Sequence, residues 1–396
     1  MPRDLRPAAL AVAGISNFLN LYTPQAILPA IATSFAVEAH ATGLAVTAPL
    51  LAVALVAPFA GAISDRIGRK RLIVAAAFVL VVPTLAIAGS DSLGALIAWR
   101  FVQGLVLPFI FAVSVAYIGD ELPGATGIRA ASFYSAGNIF GGFFGRFVAG
   151  MVAAWAGWRM GFAAVAGLTL AGAIFVAITL PSEKNFRPVT GGLGATLRTY
   201  RLHLRNRRLL ATCLIGFGML FSNVAIYTFV NFLLAAPPYS FSPAQLGGVF
   251  VVYLLGVVTT SLAGGLAVRI GRVATLALGL GLSGLGLVCT LLPMAASIVL
   301  GLAFLSAGLF VVQALCIGLV PTLVTEARST AVGLYVTIYY IGGALGGFVP
   351  ALAYHAAGWP GVVVLVGCVF IGMMALASWY WPGRVASAAL PQHTAD

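Results

Sequence analysis

The chain has 396 residues, 61% of them hydrophobic and only 8% charged, with a formal net charge of +12 and a mean hydropathy of +1.07. A soluble chain carries roughly a quarter charged residues, and no soluble core of this size hides so much apolar surface, so the bilayer is the solvent. Spanning β-strands would be about ten residues long and alternate apolar with polar; here the apolar runs reach about twenty without alternation, which predicts transmembrane helices.

Twelve spans are predicted, at residues 8–31, 43–64, 71–89, 94–118, 129–153, 160–180, 210–235, 245–267, 273–294, 297–322, 331–355 and 361–382. The first follows Arg3 and Arg6 as a signal peptide would, but it runs past Tyr22 to Ile31 without a cleavage site, so it reads as an uncleaved span. Short connections elsewhere force antiparallel neighbours. Residues 181–209 are the only long connection: they open on Pro181, carry Gly191, Gly192 and Gly194, and close on the basic run Arg198–Arg208. This divides the chain into an N-terminal six-helix bundle (1–180), a linker (181–209) and a C-terminal six-helix bundle (210–396). Leu197–Leu204 reads equally as a basic amphipathic helix on the membrane surface or as a solvated linker.

Charge fixes the expected orientation. Arg66, Arg69, Lys70, Arg71, Arg129, Lys184, Arg187, Arg198, Arg201, Arg205, Arg207, Arg208, Arg269, Arg272 and Arg328 fall in loops on one side, whereas Arg159 is alone on the other. Basic residues concentrate on the cytoplasmic face, so both termini are expected there. The basic balance is thus topological, and no nucleic-acid partner is expected.

Residues 130–159 recur without a gap as residues 331–360, with ten of 30 pairs identical, among them Tyr134/Tyr335, Gly141/Gly342, Gly142/Gly343, Gly145/Gly346 and Trp158/Trp359. About three identities would arise by chance in such a composition. The offset is half the chain, so the chain reads as two copies of one apolar unit. Secondary transporters are often built this way, with substrate held between the halves.

Three segments carry chemistry. The second connection reads Gly61-Ala-Ile-Ser-Asp65-Arg66-Ile-Gly68-Arg69-Lys70-Arg71, with a glycine for a tight turn and one acid among four cations. Gly264-Gly-Leu-Ala-Val268-Arg269-Ile-Gly271-Arg272 repeats it with Val268 in the place of the acid. The fourth span holds Arg100-Phe-Val-Gln103-Gly104, and an arginine there is expected to face the bundle interior. The fifth span carries Gly137-Asn138, Gly141-Gly142, Gly145-Arg146 and Gly150, a small-residue face for a close helix crossing.

The Gly61–Lys70 loop closely resembles the G-x-x-x-D-R-x-G-R-[KR] signature of the major facilitator superfamily, and the R-x-x-Q-G spacing resembles a second motif of that family. The fifth-span glycines resemble its antiporter motif G-P-x-x-G-G, with Gly142 and Arg146 departing from it. The form G-N-x-x-G-G-x-x-G-R followed by G-W-R resembles the drug and arabinose efflux permeases. The resemblance implies an all-α membrane protein of twelve helices in two pseudo-symmetric bundles. It implies a conformational lock at Asp65, Arg66, Arg69 and Asp120. It also implies proton coupling at Arg100 and Gln103; the residues themselves add core charge at Arg146, and the glycine spacing with its recurrence points to helix crossings at Gly141, Gly142, Gly145, Gly342, Gly343 and Gly346.

For substrate contact, the polar stripe Asn223, Tyr227 and Asn231 stands beside Asn17, Asn20, Tyr134, Asn138, Tyr335 and Tyr339. These either line a midplane cavity or hydrogen-bond helices to one another. None of the nine acids lies at the middle of a predicted span, and His355 is the one histidine in or beside a span, so proton coupling rests on the resemblance. The four cysteines sit in apolar runs without ligand spacing and read as packing. There is no phosphate-binding loop, no catalytic set and no metal or cofactor motif, so an enzyme is not expected. The expected function is alternating-access transport of a drug, sugar or metabolite by a monomer in a bacterial inner membrane. Proton-coupled efflux comes first, with an uptake carrier, uniporter or organic-anion exchanger as alternatives.

Overall fold

The structure, a computed structural model, describes residues 5–183 and 201–381. These form helices and contain no strand. In chain order they are α1 (Arg6–Tyr22), α2 (Leu28–Phe35), α3 (Ala39–Ile67), α4 (Arg69–Ala88), α5 (Leu93–Val106), α6 (Pro108–Glu121), α7 (Gly124–Thr179), α8 (Arg207–Ala235), α9 (Pro243–Val249), α10 (Leu255–Ile270), α11 (Arg272–Cys289), α12 (Ala295–Leu319) and α13 (Arg328–Tyr380).

Among the described residues, nine helical stretches are long and apolar enough to cross a bilayer. Two of them are double spans. α7 turns back at Gly157 (φ 81°, ψ 163°) and α13 at Ala357 and Gly358 (φ 61°, ψ −151°). Both glycines take a positive φ that side chains resist, so a single residue does the work of a loop. The connections expected between the fifth and sixth and the eleventh and twelfth spans are therefore tighter than their sequence implies. The first span is composite: α1, a 3-10 turn over Thr23–Ile27, and α2. The fourth span joins α5 to α6 at Leu107–Pro108, and the eighth joins α9 to α10 through a 3-10 turn at Phe250–Leu254. The result is twelve crossings in two six-helix bundles.

Large apolar side chains stand outside this bundle. Val82, Leu262 and Ile371 are more than half exposed. A soluble surface does not carry such a belt, and lipid covers it. Trp155 and Trp379 stand exposed near opposite ends of the bundle, as interfacial anchors do.

One helix crossing is built twice. On α7, a methyl placed on Gly141 would lie 2.7 Å from the Ile15 Cα of α1, and one on Gly145 2.8 Å from the Leu19 Cα. On α13, a methyl on Gly342 would lie 2.7 Å from the Phe217 Cα of α8, and one on Gly346 2.9 Å from the Phe221 Cα. Backbones touch because side chains are missing. Both crossings lie inside a half. Gly142 and Gly343 point elsewhere, toward Tyr22 with Arg146 and toward Leu220 with Leu50.

The halves themselves meet through different glycines. A methyl on Gly43 of α3 would sit 2.5 Å from the Gly347 carbonyl of α13, and one on Gly247 of α9 would sit 2.8 Å from the Arg146 carbonyl of α7. Thr47 Oγ1 donates to the Ala344 carbonyl at 2.9 Å, and Gln25 Nε2 donates to Thr228 Oγ1 at 3.0 Å. All of these lie toward the face that carries Glu38, Asp91 and Gly157, called here the distal face. The other face carries Arg66–Arg71 and is the basic face. On that side Gly61, Gly264 and Gly265 have open space where a side chain would project.

Candidate functional site

The Arg100 network grows from two prolines. Pro24 has no amide hydrogen, so the carbonyl four residues earlier, at Asn20, lacks its helical donor. Pro49 does the same to the Ala45 carbonyl. Arg100 takes both: Nη1 donates to the Asn20 carbonyl at 2.8 Å and Nε to the Ala45 carbonyl at 2.9 Å. Nη2 donates to the Leu21 carbonyl at 2.5 Å, and Nη1 also donates to Gln103 Oε1. Gly104, one turn along α5, lets that helix approach Pro49: a methyl there would lie 2.6 Å from the Pro49 Cα. Spacing and residue types of Arg-x-x-Gln-Gly are thus explained by one contact. Gln103 Nε2 donates to Asn20 Oδ1 at 3.0 Å and Thr84 Oγ1 at 2.8 Å, and Asn20 Nδ2 donates to Thr169 Oγ1 at 2.7 Å. Arg100, Gln103, Asn20 and Thr84 are fully enclosed. Asn20, expected beside substrate, lies instead within this first-half network.

The loop cluster sits at the basic face. Gly68 (φ 103°) ends α3 and starts α4. Arg69 Nη2 lies 2.6 Å from Asp65 Oδ1 and 3.0 Å from Asp120 Oδ2, and its Nη1 donates to Ser64 Oγ. α3, α4 and α6 are tied by these bonds. Arg66 is exposed and stands outside the cluster. Sequence reasoning missed Glu183, whose carboxylate accepts from the Arg69 amide at 2.9 Å and the Lys70 amide at 3.2 Å. An acid at a helix N-terminus meets amides that have no helical acceptor; its position beyond the sixth span hid it. In the second copy, Gly271 (φ 88°) keeps the turn and Val268 is exposed.

Arg146 lies between the halves. Its Nε donates to Gln25 Oε1 at 2.8 Å, its Nη2 to the same oxygen, and its Nη1 to the Gly142 carbonyl at 2.6 Å. The guanidinium carbon is 4.4 Å from the ring centres of Tyr22, Phe250 and Tyr253. Three aromatic faces and an amide hold a cation that meets no carboxylate among the described residues. Tyr253 donates on to Asn223 Oδ1 at 2.5 Å. Gln25, Phe250 and Tyr253 were missed, although Gln25 is an amide within the first apolar segment.

Tyr134 and Tyr335, paired by the repeat, pack against Gly14 and Gly216 in corresponding helices. Around them lies an aromatic layer shared by both halves. Tyr335 and Tyr339 stack at 5.7 Å, Tyr339 and Tyr340 meet edge-on at 5.4 Å, and Phe111 lies 5.9 Å from Tyr340. Gln313 Nε2 donates to the Tyr339 hydroxyl at 2.9 Å. Tyr227 donates to the Leu302 carbonyl at 2.7 Å, and Asn231 Nδ2 donates to the Tyr227 carbonyl at 2.6 Å, so this pair binds its own half together. Among the described residues, Asn17 (both amide atoms), Asn138 Oδ1, Ser114 Oγ, Ser222 Oγ and the Tyr335 hydroxyl are buried without a hydrogen-bond partner. Such groups call for water or a ligand.

The whole chain also matches one family. Residues 10–236 and 219–395 each fit the sequence profile of the Major Facilitator Superfamily. The chain belongs to the major facilitator superfamily. It is 30% identical over 361 residues to the MFS-type transporter YybF of Bacillus subtilis, covering 90% of this chain and 89% of the relative. It is 28% identical to the inner membrane transport protein YnfM of Escherichia coli, covering 92% and 87%. In three dimensions it is similar to a D-xylose-proton symporter, with a TM-score of 0.77 at 17% identity over 95% of this chain and 97% of that one. As a major facilitator, the protein is a secondary transporter of small molecules and not an enzyme. The facilitator fold places Arg146 and the aromatic layer between its halves and Arg100 within the first.

Proposed function

We propose that this transporter works by alternating access and stands here closed at the distal face. The carrying observation is the one-sidedness of its inter-half bonds. Among the described residues, Thr47–Ala344, Gln25–Thr228 and Arg146–Tyr253 all lie toward the distal face. The basic face is the cytoplasmic one, with both termini there, because basic loops are retained inside. A bacterial inner membrane fits that asymmetry and YnfM's stated location. The division into residues 1–180, 181–209 and 210–396 is the natural one for this motion. Of the segment Leu197–Leu204, residues 197–200 lie outside the described residues.

The cargo is a small organic compound held by the aromatic layer and the unpartnered groups of Asn17, Asn138 and Tyr335. Export against inward proton flow is the leading reading, supported by the fifth-span glycines and the Arg100 motif. A monomer suffices for it. The Asp65–Arg69–Asp120 cluster then acts as the state-dependent lock. A second reading, uptake or exchange without protons, is favoured by one observation: each described acid lies at a helix end or in a connection. Vesicles with an imposed pH gradient separate the two. Substrate addition collapses the gradient under the first reading and leaves it intact under the second.

A further inference from the structure

We infer that Arg146 selects the charge of the cargo, and that the cargo is a small organic anion. This rests on the alternating-access reading and names the substrate class for that same site. Two arginines are fully enclosed in the spans, and they differ in what holds them. Arg100 is bound by carbonyls of its own half, which move with it. Arg146 takes partners from both halves: Gln25, Gly142 and Tyr22 from the first, Phe250 and Tyr253 from the second. Opening of the distal face separates α7 from α9 and α10. Arg146 then loses two of its three aromatic faces and the Tyr253 hydroxyl, while Gln25 loses Thr228.

What remains is a guanidinium at the wall of the opened cleft, and among the described residues α1, α9, α10 and the 3-10 turns that surround it carry no carboxylate to neutralise it. Water and anions reach it there, and a cation still partly enclosed by protein gains from a counter-ion. An anion supplies charge-assisted, bidentate bonds that the cage of rings and one amide cannot match. The cage is thus a stand-in that holds the cation while the face is shut. Tyr22, whose ring centre lies 4.4 Å from the Arg146 guanidinium carbon, is the aromatic face that stays with Arg146 in the first half. The aromatic layer offers rings and neutral donors, such as Gln313 on Tyr339, and among its described residues no acid to receive a cationic compound. A ligand shifts a two-state equilibrium only by its differential affinity; an anion that replaces the cage has that difference built in.

The test uses purified full-length protein and thermal stability as the readout. The probes are benzoate, succinate, citrate and phenyl phosphate, each beside a neutral amide or alcohol and an amine of similar size. At least one anion should stabilise the wild type saturably, while its neutral and cationic counterparts do not. Arg146→Gln should weaken that response by about tenfold or more, the loss of a charge-assisted bond, and Arg146→Lys should keep part of it. If Arg146→Gln does not fold, Tyr253→Phe serves: it loosens the cage, keeps the charge and should strengthen the anion response. The inference is overturned by no response to any anion, by a stronger response to an amine, by a wild-type response in Arg146→Gln or by a weakened one in Tyr253→Phe. Failure of the transport reading looks different. In that case a thiol reagent never reaches Thr228→Cys from the distal face under any condition; reach without an anion response removes the selectivity alone.

Discussion

At the scale of single residues, prolines explain the arginine. Arg100 satisfies carbonyls that Pro24 and Pro49 leave without donors. Arg100→Ala strands these acceptors, each at about 1–3 kcal/mol, and should lower the melting temperature and cut transport by more than tenfold. Arg100→Lys should rescue little, because a point charge cannot span three carbonyls in the fork geometry of a guanidinium. Pro49→Ala returns a helical donor to the Ala45 carbonyl, so in the Arg100→Ala background it should cost less than it does alone. A double-mutant cycle should show coupling of about 1 kcal/mol; strict additivity would mean the proline has no part in holding Arg100. Asp65 answers a different question. Asp65→Asn leaves the Arg69–Asp120 contact in place, so the protein should fold and insert normally while transport falls several-fold. Unchanged transport with correct folding removes Asp65 from the lock. The arginine, its motif and the acid were visible in the sequence. The proline pairing was equally visible, since residue i−4 of a proline is a free acceptor, but nothing in a linear string says which arginine reaches it.

At the scale of helices, two kinds of glycine contact differ in what they should do. Gly141 and Gly145 seat α7 on α1 within one half, as Gly342 and Gly346 seat α13 on α8. Gly145→Leu has no room beside Leu19 in any state of that half, so it should lower thermal stability and abolish transport together. Gly43 and Gly347 meet across the halves, and under the proposed alternating access they do so only with the distal face shut. Gly43→Leu should leave the protein folded and shift it toward the state open at that face, read as faster thiol labelling of Thr228→Cys from the distal side. Equal labelling in wild type and variant contradicts this division. Legibility follows the same line. The repeat disclosed the within-half crossings because both copies kept their glycines in register. Gly43–Gly347 joins a helix of one copy to a helix of the other, and no internal alignment pairs those positions. Span ends were placed well where charge marked them, and poorly at Gly157 and Gly358, where a single positive-φ residue replaces a loop.

At the scale of the whole molecule, the hydropathy run, the half-chain repeat and the loop motif carried the fold and family, and charge asymmetry carried the proposed orientation. Thiols placed at Ile67, an exposed residue of the basic face, should react only from the cytoplasm, and thiols at Asp91 only from outside; the reverse pattern inverts the topology. The state of the molecule was not legible, because which face is shut depends on contacts between halves. Those contacts give the most direct test of alternating access. Spin labels at Glu38→Cys and His355→Cys report the distal face, where the native side chains approach to 3.9 Å across the halves. Labels at Ile67→Cys and Arg328→Cys report the basic face. Pulsed dipolar distances should show two populations at each face, with opposite-sign changes: as the distal distance lengthens, in Gly43→Leu or on adding cargo, the basic-face distance shortens. A single fixed distance at both faces, in wild type and in Gly43→Leu alike, would contradict alternating access for this chain.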